Sequence, residues 1–508
     1  MTVRHLTCWI TMAVLLAAST VQGHQQQPAA ESIKVLGQRQ HQQSLKGLGG
    51  EMTAEQQELL QQLQAETGAR TAQRKLQKTE ELGFPPGVAG FEAPKGVEVP
   101  VVPLIGSPDK PSIDVFNWMI AAKMEDFVIP AGYPFENHKV ITRDGYILNM
   151  YRIPHGKHRN TEKGNKPVVL LQHGVTLSSN SFVLLNANES MAYILADAGF
   201  DVWMSNTRGN TYSRGHLLLN QWGQRYWRFS MDELALVDLP AQIDYVLKTT
   251  QAKKLAFVGH SQGCTLIYML LAEKLDYNDK ISVVVHVGPV GFIEYIRAPF
   301  LKAQPVIKSD QWLKNAPLGE FIAHRDLAPF VLPFCQYNHT FNEWCMQQMN
   351  GMFYGPSVNV PTADFVLISK TWPSSVATRN LEHWSQMHRD GKLRLQKYSF
   401  GNDCIHPLGG NFPRSFHESC NMARYGTETP PEYDLSKITA PQAFFVGSID
   451  IMSTPEDVEE QQRRLKPGVV VAQYVFERLA HMDFVWDRNA QYKKELVELI
   501  YRFSPGTF

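Results

Sequence analysis

This 508-residue chain lacks any excess of charge: Lys+Arg and Asp+Glu number 49 each, so no global field draws it to nucleic acid or an anionic membrane. Beyond the N-terminus it also lacks a long apolar run. The most apolar stretch, Ile281 to Ile296, is broken by Gly288, Pro289 and Gly291, whereas a bilayer-spanning helix needs roughly 20 residues, so no transmembrane segment is expected. Metal-ligand spacing is missing too. The chain has 17 histidines but no H-E-x-x-H, and His383 and His388 stand five apart, off a common helical face. Neither a phosphate-binding P-loop nor a dinucleotide fingerprint occurs, so no metal and no organic cofactor is expected. Cysteine is scarce, at six residues.

The N-terminus is different in kind. MTVRHLTCWITMAVLLAASTVQG places Arg4 ahead of an apolar stretch from Leu6 to about Ala18 and ends on the small residues Val21 and Gly23, at −3 and −1 of a cleavage site. That pattern reads as a secretory signal peptide over residues 1–23. Its removal takes Cys8 and leaves five cysteines in an oxidising compartment, so one thiol should stay free. Cys264, expected in the buried first turn of a helix, is the candidate. Cys335 with Cys345 and Cys404 with Cys420 are the close pairs, although four cysteines allow three connectivities. Sequons at Asn188 and Asn338 fit a secreted glycoprotein.

Residues 24–111 are rich in Gln, Gly and Pro, in blocks such as HQQQ and QRQHQQ, and read as a mostly disordered extension or pro-segment. After Pro111 short apolar strands alternate with amphipathic helices. Strands are expected at Pro167 to Gln172, Phe200 to Met204, Leu255 to Val258, Ser282 to Val287, Ala443 to Val446 and Ala472 to Phe476. Helices are expected around Ser190 to Ala198, Met231 to Lys248, Gln262 to Leu275 and Arg488 to Phe503. This is an α/β pattern, a mainly parallel sheet with helices on both faces. The rhythm stops between residues 291 and 430, rich in Trp, Phe, Tyr and Met, which read as a cap inserted between core halves 112–290 and 431–508.

Between the strand at Leu255 and the helix at Gln262 stands Gly259-His260-Ser261-Gln262-Gly263. In a G-x-S-x-G elbow the small residues let a strained turn expose the serine above the carboxyl ends of the strands. With 35 glycines in the chain, the bare pattern arises by chance on the order of 0.1 times, so the flanking strand and helix carry the assignment of Ser261 as nucleophile. A serine needs a histidine base, and the histidine a carboxylate. Two later strands run into loops that present Asp450 and His481, in the order this scaffold uses. Asp457 and Asp483 compete for the acid role, but surface or capping roles suit them better. His173 and His260 read as structural. The oxyanion needs two amide donors: the N–H of Gln262, after the nucleophile, and that of Val175, after the tight turn at His173-Gly174.

From about Pro111 to the C-terminus these residues resemble the acid lipases of the gastric and lysosomal type, within the α/β-hydrolases. The resemblance is carried by GYPFENHKVITRDGYILNMYRIPHGK, LLQHGVTLSSNSF, ILADAGFDVWMSNTRGNTYSRGH, MDELALVDLPAQIDYVL, VGHSQGC, GSIDIMSTPEDV and LAHMDFVWDRNA, in the family order. It implies the α/β-hydrolase fold with an inserted cap or lid, and puts the nucleophile on Ser261, the acid on Asp450, the base on His481 and the oxyanion amides on Val175 and Gln262. The chain departs from the family at Val175 (usually Leu), at Gly447-Ser448 (usually Gly-Gly) and at Thr454 (replacing an Asp), and in its long Gln-rich extension. NDCIHPLGGNFPRSFHESC looks like an insertion stapled by Cys404 and Cys420.

The expected function is therefore secreted or lysosomal hydrolysis of neutral-lipid esters at an interface, through an acyl-enzyme. Two alternatives stand beside it: a carboxylesterase of smaller soluble esters, and a non-catalytic lipid carrier of the yolk type.

Overall fold

The computed structural model describes residues 122–157, 166–303, 313, 319–321, 339–357, 359–361, 364–369, 371–389, 394–401, 419–489 and 492–504. The expected signal peptide and extension, Asn338, Cys335 and Cys404 lie outside them.

Nine strands form one sheet: β1 Glu136–Ile141, β2 Tyr146–Ile153, β3 Val168–Gln172, β4 Asp201–Met204, β5 Gly215–His216, β6 Leu255–His260, β7 Ile281–Val287, β8 Gln442–Gly447 and β9 Val470–Phe476. Their order is β1-β2-β4-β3-β6-β7-β8-β9, with β5 on β2. From β4 to β9 all pairings are parallel. The central strands are near-continuous Val, Leu, Ile and Phe because both of their faces are covered. Along β6, Leu255 and Phe257 enter one apolar cluster and Ala256 and Val258 the other. β9, at the edge, alternates between half-buried and exposed residues, so cover on both faces stops short of that edge.

The antiparallel hairpin β1–β2 was not expected from the sequence. β1, ENHKVI, is a polar edge strand, and β2 is almost wholly buried, so neither shows a plain alternation. They meet through Thr142-Arg143-Asp144-Gly145, where Gly145 takes φ +94° and donates its N–H to Thr142 O at 2.9 Å.

Helices α1 Met191–Asp197, α2 Leu239–Thr250, α3 Gln262–Glu273, α4 His339–Met349, α5 Thr378–Arg389, α6 Pro455–Arg464 and α7 Tyr492–Arg502 are the longer ones described. α2 and α3 pack on one face of the sheet, α1 and α7 on the other. The helix expected without a break over Met231 to Lys248 contains a π-turn at Leu234–Asp238. The extra residue delivers Asp238 to Arg208, whose guanidinium binds Asp238 at 2.6 and 2.8 Å and Asp144 at 2.6 and 3.0 Å. This buried fork ties the β1–β2 turn to the foot of α2. Similarly, the helix expected from Arg488 begins at Tyr492.

β7 and β8 are direct neighbours, with Val284 opposite Gln442, yet 288–441 lie between them in the chain. That segment carries α4, α5 and a small ladder of Glu320–Phe321 with Val376–Ala377. Cys345 and Cys420 are each disulfide-bonded, and Cys264 is a buried free thiol.

Candidate active site

Ser261 follows β6 and caps α3 with φ +54° and ψ −120°, a conformation that costs a non-glycine residue about 1–3 kcal/mol. Two backbone hydrogen bonds hold it: its N–H donates to Val287 O at 3.2 Å, and its C=O accepts from Cys264 at 2.9 Å. Steric limits explain the small neighbours. A Cβ on Gly259 would stand 2.8 Å from Gly263 C, one on Gly263 would stand 2.6 Å from Gln172 O, and one on Gly174 would stand 2.8 Å from Ser261 Cβ. Only hydrogen fits at all three, so strand, elbow and helix close on one another.

The other two groups reach the same point from the carboxyl ends of strands further along the sheet. Asp450 leaves the carboxyl end of β8, and His481 lies in the loop after β9. Ser261 Oγ and His481 Nε2 are 2.8 Å apart, as are His481 Nδ1 and Asp450 Oδ2. Because an ionised carboxylate only accepts, Nδ1 carries the proton and Nε2 is left to accept from the serine. Asp450 Oδ1 accepts from the N–H groups of Met452 and Ser453, both at 2.8 Å, which fixes the carboxyl group's orientation towards His481. All three side chains are buried, Ser261 being 4% exposed.

Of the surface or capping roles expected for Asp457 and Asp483, the surface one fails, because both are fully buried, whereas Asp457 does serve the cap of α6. Asp457 binds Thr454 Oγ1 at 3.0 Å and the Tyr295 N–H, in the first turn of α6, and burial pushes it up to about 6. Asp483 accepts from Ala480 N–H at 2.7 Å, Asn359 Nδ2 at 3.0 Å and the Ser357 hydroxyl, so it holds the loop just before His481. That duty was not expected from the sequence.

The two amides expected at the oxyanion flank the serine. Val175 follows Gly174, which touches Ser261, and Gln262 opens α3. Among the described residues, no protein acceptor is bonded to either N–H. His173 braces this turn: Nδ1–H donates to Gly174 O at 2.8 Å, and Nε2 accepts from Thr207 N–H at 3.3 Å and Asn210 Nδ2 at 3.1 Å. Burial pushes His173 down to about 4, so it is neutral and able to accept. His260 donates from Nε2 to His481 O at 3.1 Å; burial, and then the proximity of His481, push it down to about 3.

With this geometry in place, comparison with known proteins is specific. Residues 124–186 match a family described as the partial alpha/beta-hydrolase lipase region, and residues 167–330 match the alpha/beta hydrolase fold. The gastric triacylglycerol lipase of Mus musculus is 35% identical over 364 residues, 71% of this chain and 86% of that protein. The chain belongs to the acid lipase family. Other relatives include lipase member K of Homo sapiens, 32% identical over 367 residues (71% of this chain, 85% of that protein), and lipase 3 of Drosophila melanogaster, 33% over 372 residues (71% and 87%). As a member of that family it is a carboxylic ester hydrolase of the lipase class.

Two of this acid lipase's departures from the family pattern have local structural uses. Ser448 Oγ accepts from Arg478 N–H at 2.9 Å, tying the loop before Asp450 to the loop before His481. Thr454 caps α6, accepting from Asp457 N–H at 3.3 Å. Val175 is partly exposed beside the elbow, and nothing in the structure explains its replacement of Leu. No helix among the described residues is long and apolar enough to cross a membrane.

Proposed function

We propose that this acid lipase hydrolyses carboxylic esters of neutral lipids, triacylglycerols among them, through a Ser261 acyl-enzyme. The observation that carries the reading is the unbroken chain Asp450–His481–Ser261, with 2.8 Å at each link. His481 Nε2 takes the serine proton as Oγ attacks the ester carbonyl, while Asp450, oriented by two backbone N–H groups, stabilises the imidazolium. The tetrahedral oxyanion is received by the N–H groups of Val175 and Gln262. His481 then protonates the departing alcohol, and in the second half it activates the water that releases the fatty acid. This route uses no metal and no organic cofactor.

Lipid substrates are supported by the relatives named as triacylglycerol lipases and by the Trp-, Phe- and Met-rich segment between β7 and β8. Ser261 is covered, so a bulky ester reaches it only when the chain over it moves aside. In this reading, core halves 112–290 and 431–508 enclose a cap at 291–430, preceded by a signal peptide at 1–23 and an extension at 24–111, and the protein is secreted or lysosomal. Asn188, exposed in the turn before α1, would carry a glycan, as would Asn338, and the bonded Cys345 and Cys420 would pair with Cys335 and Cys404.

The test is labelling with a fluorophosphonate, followed by turnover of an emulsified long-chain ester and a soluble short-chain one. Labelling at Ser261 with preference for the emulsion is expected. An unreactive protein would be a carrier, and equal or better turnover of the soluble ester would make it a carboxylesterase.

A further inference from the structure

We propose that Trp384, on α5 of the inserted segment, is a positioning residue for the hydrolytic reaction, fixing Gln262 and through it the amide that follows the nucleophile. The proposal rests on the assignment of the Gln262 N–H as an oxyanion donor.

The indole Nε1–H of Trp384 donates to Gln262 Oε1 at 2.8 Å, and the two residues are 8% and 3% exposed. A buried indole N–H and a buried amide oxygen each lose water, and each left alone would cost about 1–3 kcal/mol, so the pair has one stable arrangement. Gln262 is the first helical residue after the strained serine, where few intrahelical bonds fix the backbone. A tether on its side chain therefore restrains the peptide whose N–H faces the reacting oxygen.

The tether is anchored. On the same helix, Glu382 accepts from the Tyr398 hydroxyl at 2.6 Å, and His383 Nε2 donates to Gln396 O at 2.8 Å. Gln386 bonds Ser399 in both directions, donating to its carbonyl at 3.0 Å and accepting from its N–H at 2.8 Å. The segment 395–399 is in turn fixed to the core, where Asp232, just before the π-turn, accepts from Tyr398 N–H at 2.9 Å and from the Tyr433 hydroxyl at 2.7 Å. A continuous set of hydrogen bonds thus runs from Asp232, in the helical turn ahead of the π-turn, through α5, to the oxyanion side of the elbow. α5 belongs to the fixed frame of the site, although its sequence lies within the insertion.

Oxyanion stabilisation depends on donors held before the reaction begins. Losing a whole donor costs about 10²–10³ in kcat, so loosening one should cost less, about tenfold. Three variants test this on a soluble ester: Trp384→Phe, which keeps the ring and removes the N–H; Gln262→Met, which keeps the shape and removes the acceptor; and their double. The expected result is a kcat about tenfold lower in each single variant, a KM within about twofold of the parent, a matching fall in the rate of phosphonylation, and a double variant no worse than either single. If Trp384→Phe is too unstable to purify, Gln262→Met carries the same expectation alone. Unchanged kcat in either folded single variant, or effects that multiply in the double, would overturn the proposal. A parent protein inert to the phosphonate would remove the hydrolase reading and the proposal together, whereas a reactive parent with indifferent variants would remove only the proposal.

Discussion

The proposed nucleophile and the proposed base of this site are built in opposite ways. The turn of Ser261 is set mainly by residues close to it in the chain, Gly259, Gly263 and Cys264, with Gln172 O, Gly174 and Val287 O closing on it from the neighbouring strands. His481 is held by distant chain. Its N–H donates to Tyr354 O at 3.1 Å, Asn359 Nδ2 donates to Arg478 O at 2.7 Å, and Asp483, which binds the N–H of the preceding Ala480, is itself bound by the remote Ser357 and Asn359. Gly355, at φ +103°, would bring a Cβ within 2.8 Å of Ile449 O, so the stretch after α4 is pressed against the acid loop as well. The elbow is therefore a local steric device, whereas the acid and base depend on the inserted segment being docked.

The largest effects test the shared product of the two halves. Ser261→Ala, His481→Ala and Asp450→Asn should each lower kcat by about 10³-fold or more, with double variants little worse than singles because the three groups act as a unit. Steady-state turnover of a soluble ester checks this. Near-normal kcat in folded Asp450→Asn would move the acid role, and Asp483 would be the first place to look.

Smaller effects should differ between the two sides. Gly263→Ala brings a Cβ to 2.6 Å from a backbone oxygen, so the elbow should lose stability, by about 1–3 kcal/mol, as a falling Tm. Asp483→Asn replaces one acceptor by a donor in a site bound by three donors, so the base loop should slacken and kcat fall about tenfold with KM little changed. If both variants lost Tm alone, or both lost kcat alone, the contrast between local and docked construction would fail.

The legible parts of the sequence follow the same division. The strand, the two glycines and the helix at Ser261 are contiguous, and Asp450 and His481 each follow an apolar strand, so pattern alone pointed to the three residues that the fold brings together. The duties of Asp483, Tyr354 and Trp384 were hidden because their partners are remote; Trp384 and Gln262 are 122 residues apart. The β1–β2 hairpin was hidden for another reason, since a polar edge strand and a strand buried on both faces both lack alternation. The π-turn at Leu234–Asp238 answers to Arg208, which no helical periodicity encodes.

A smaller, pH-dependent effect separates core from site. Burial pushes His286, on β7, down to about 4, with Nε2 bonded to Gln442 Oε1 at 2.7 Å. A histidine whose folded pKa is depressed contributes stability that is present above its unfolded value of about 6.5 and lost as the pH falls towards about 4. Asp457, raised to about 6, acts in the opposite sense, its contribution being present below about 4 and lost as the pH rises through 6. His286→Gln removes the first term alone. Calorimetry at pH 7 and pH 4.5 should show a smaller acid-induced fall in Tm for the variant than for the parent; equal falls would mean that His286 does not titrate in folding.

The smallest effect concerns the outer side of α4. Cys345 and Met346 are buried, while the next turn delivers Tyr354 O to His481. Trp344, on the same helix, is 39% exposed. A large indole at the surface of a segment that reaches the base loop adds apolar area where a lipid interface would make contact, and transfer to that interface favours whichever arrangement exposes more of it. If the inner side of this helix serves the base loop and the outer side serves the lipid, Trp344→Ser should lower turnover of an emulsified long-chain ester by about threefold and leave a soluble short-chain ester within experimental error of the parent. Equal loss on the two substrates, with Tm reduced in parallel, would assign Trp344 to packing of the segment instead and leave the docked side as the helix's one contribution to catalysis.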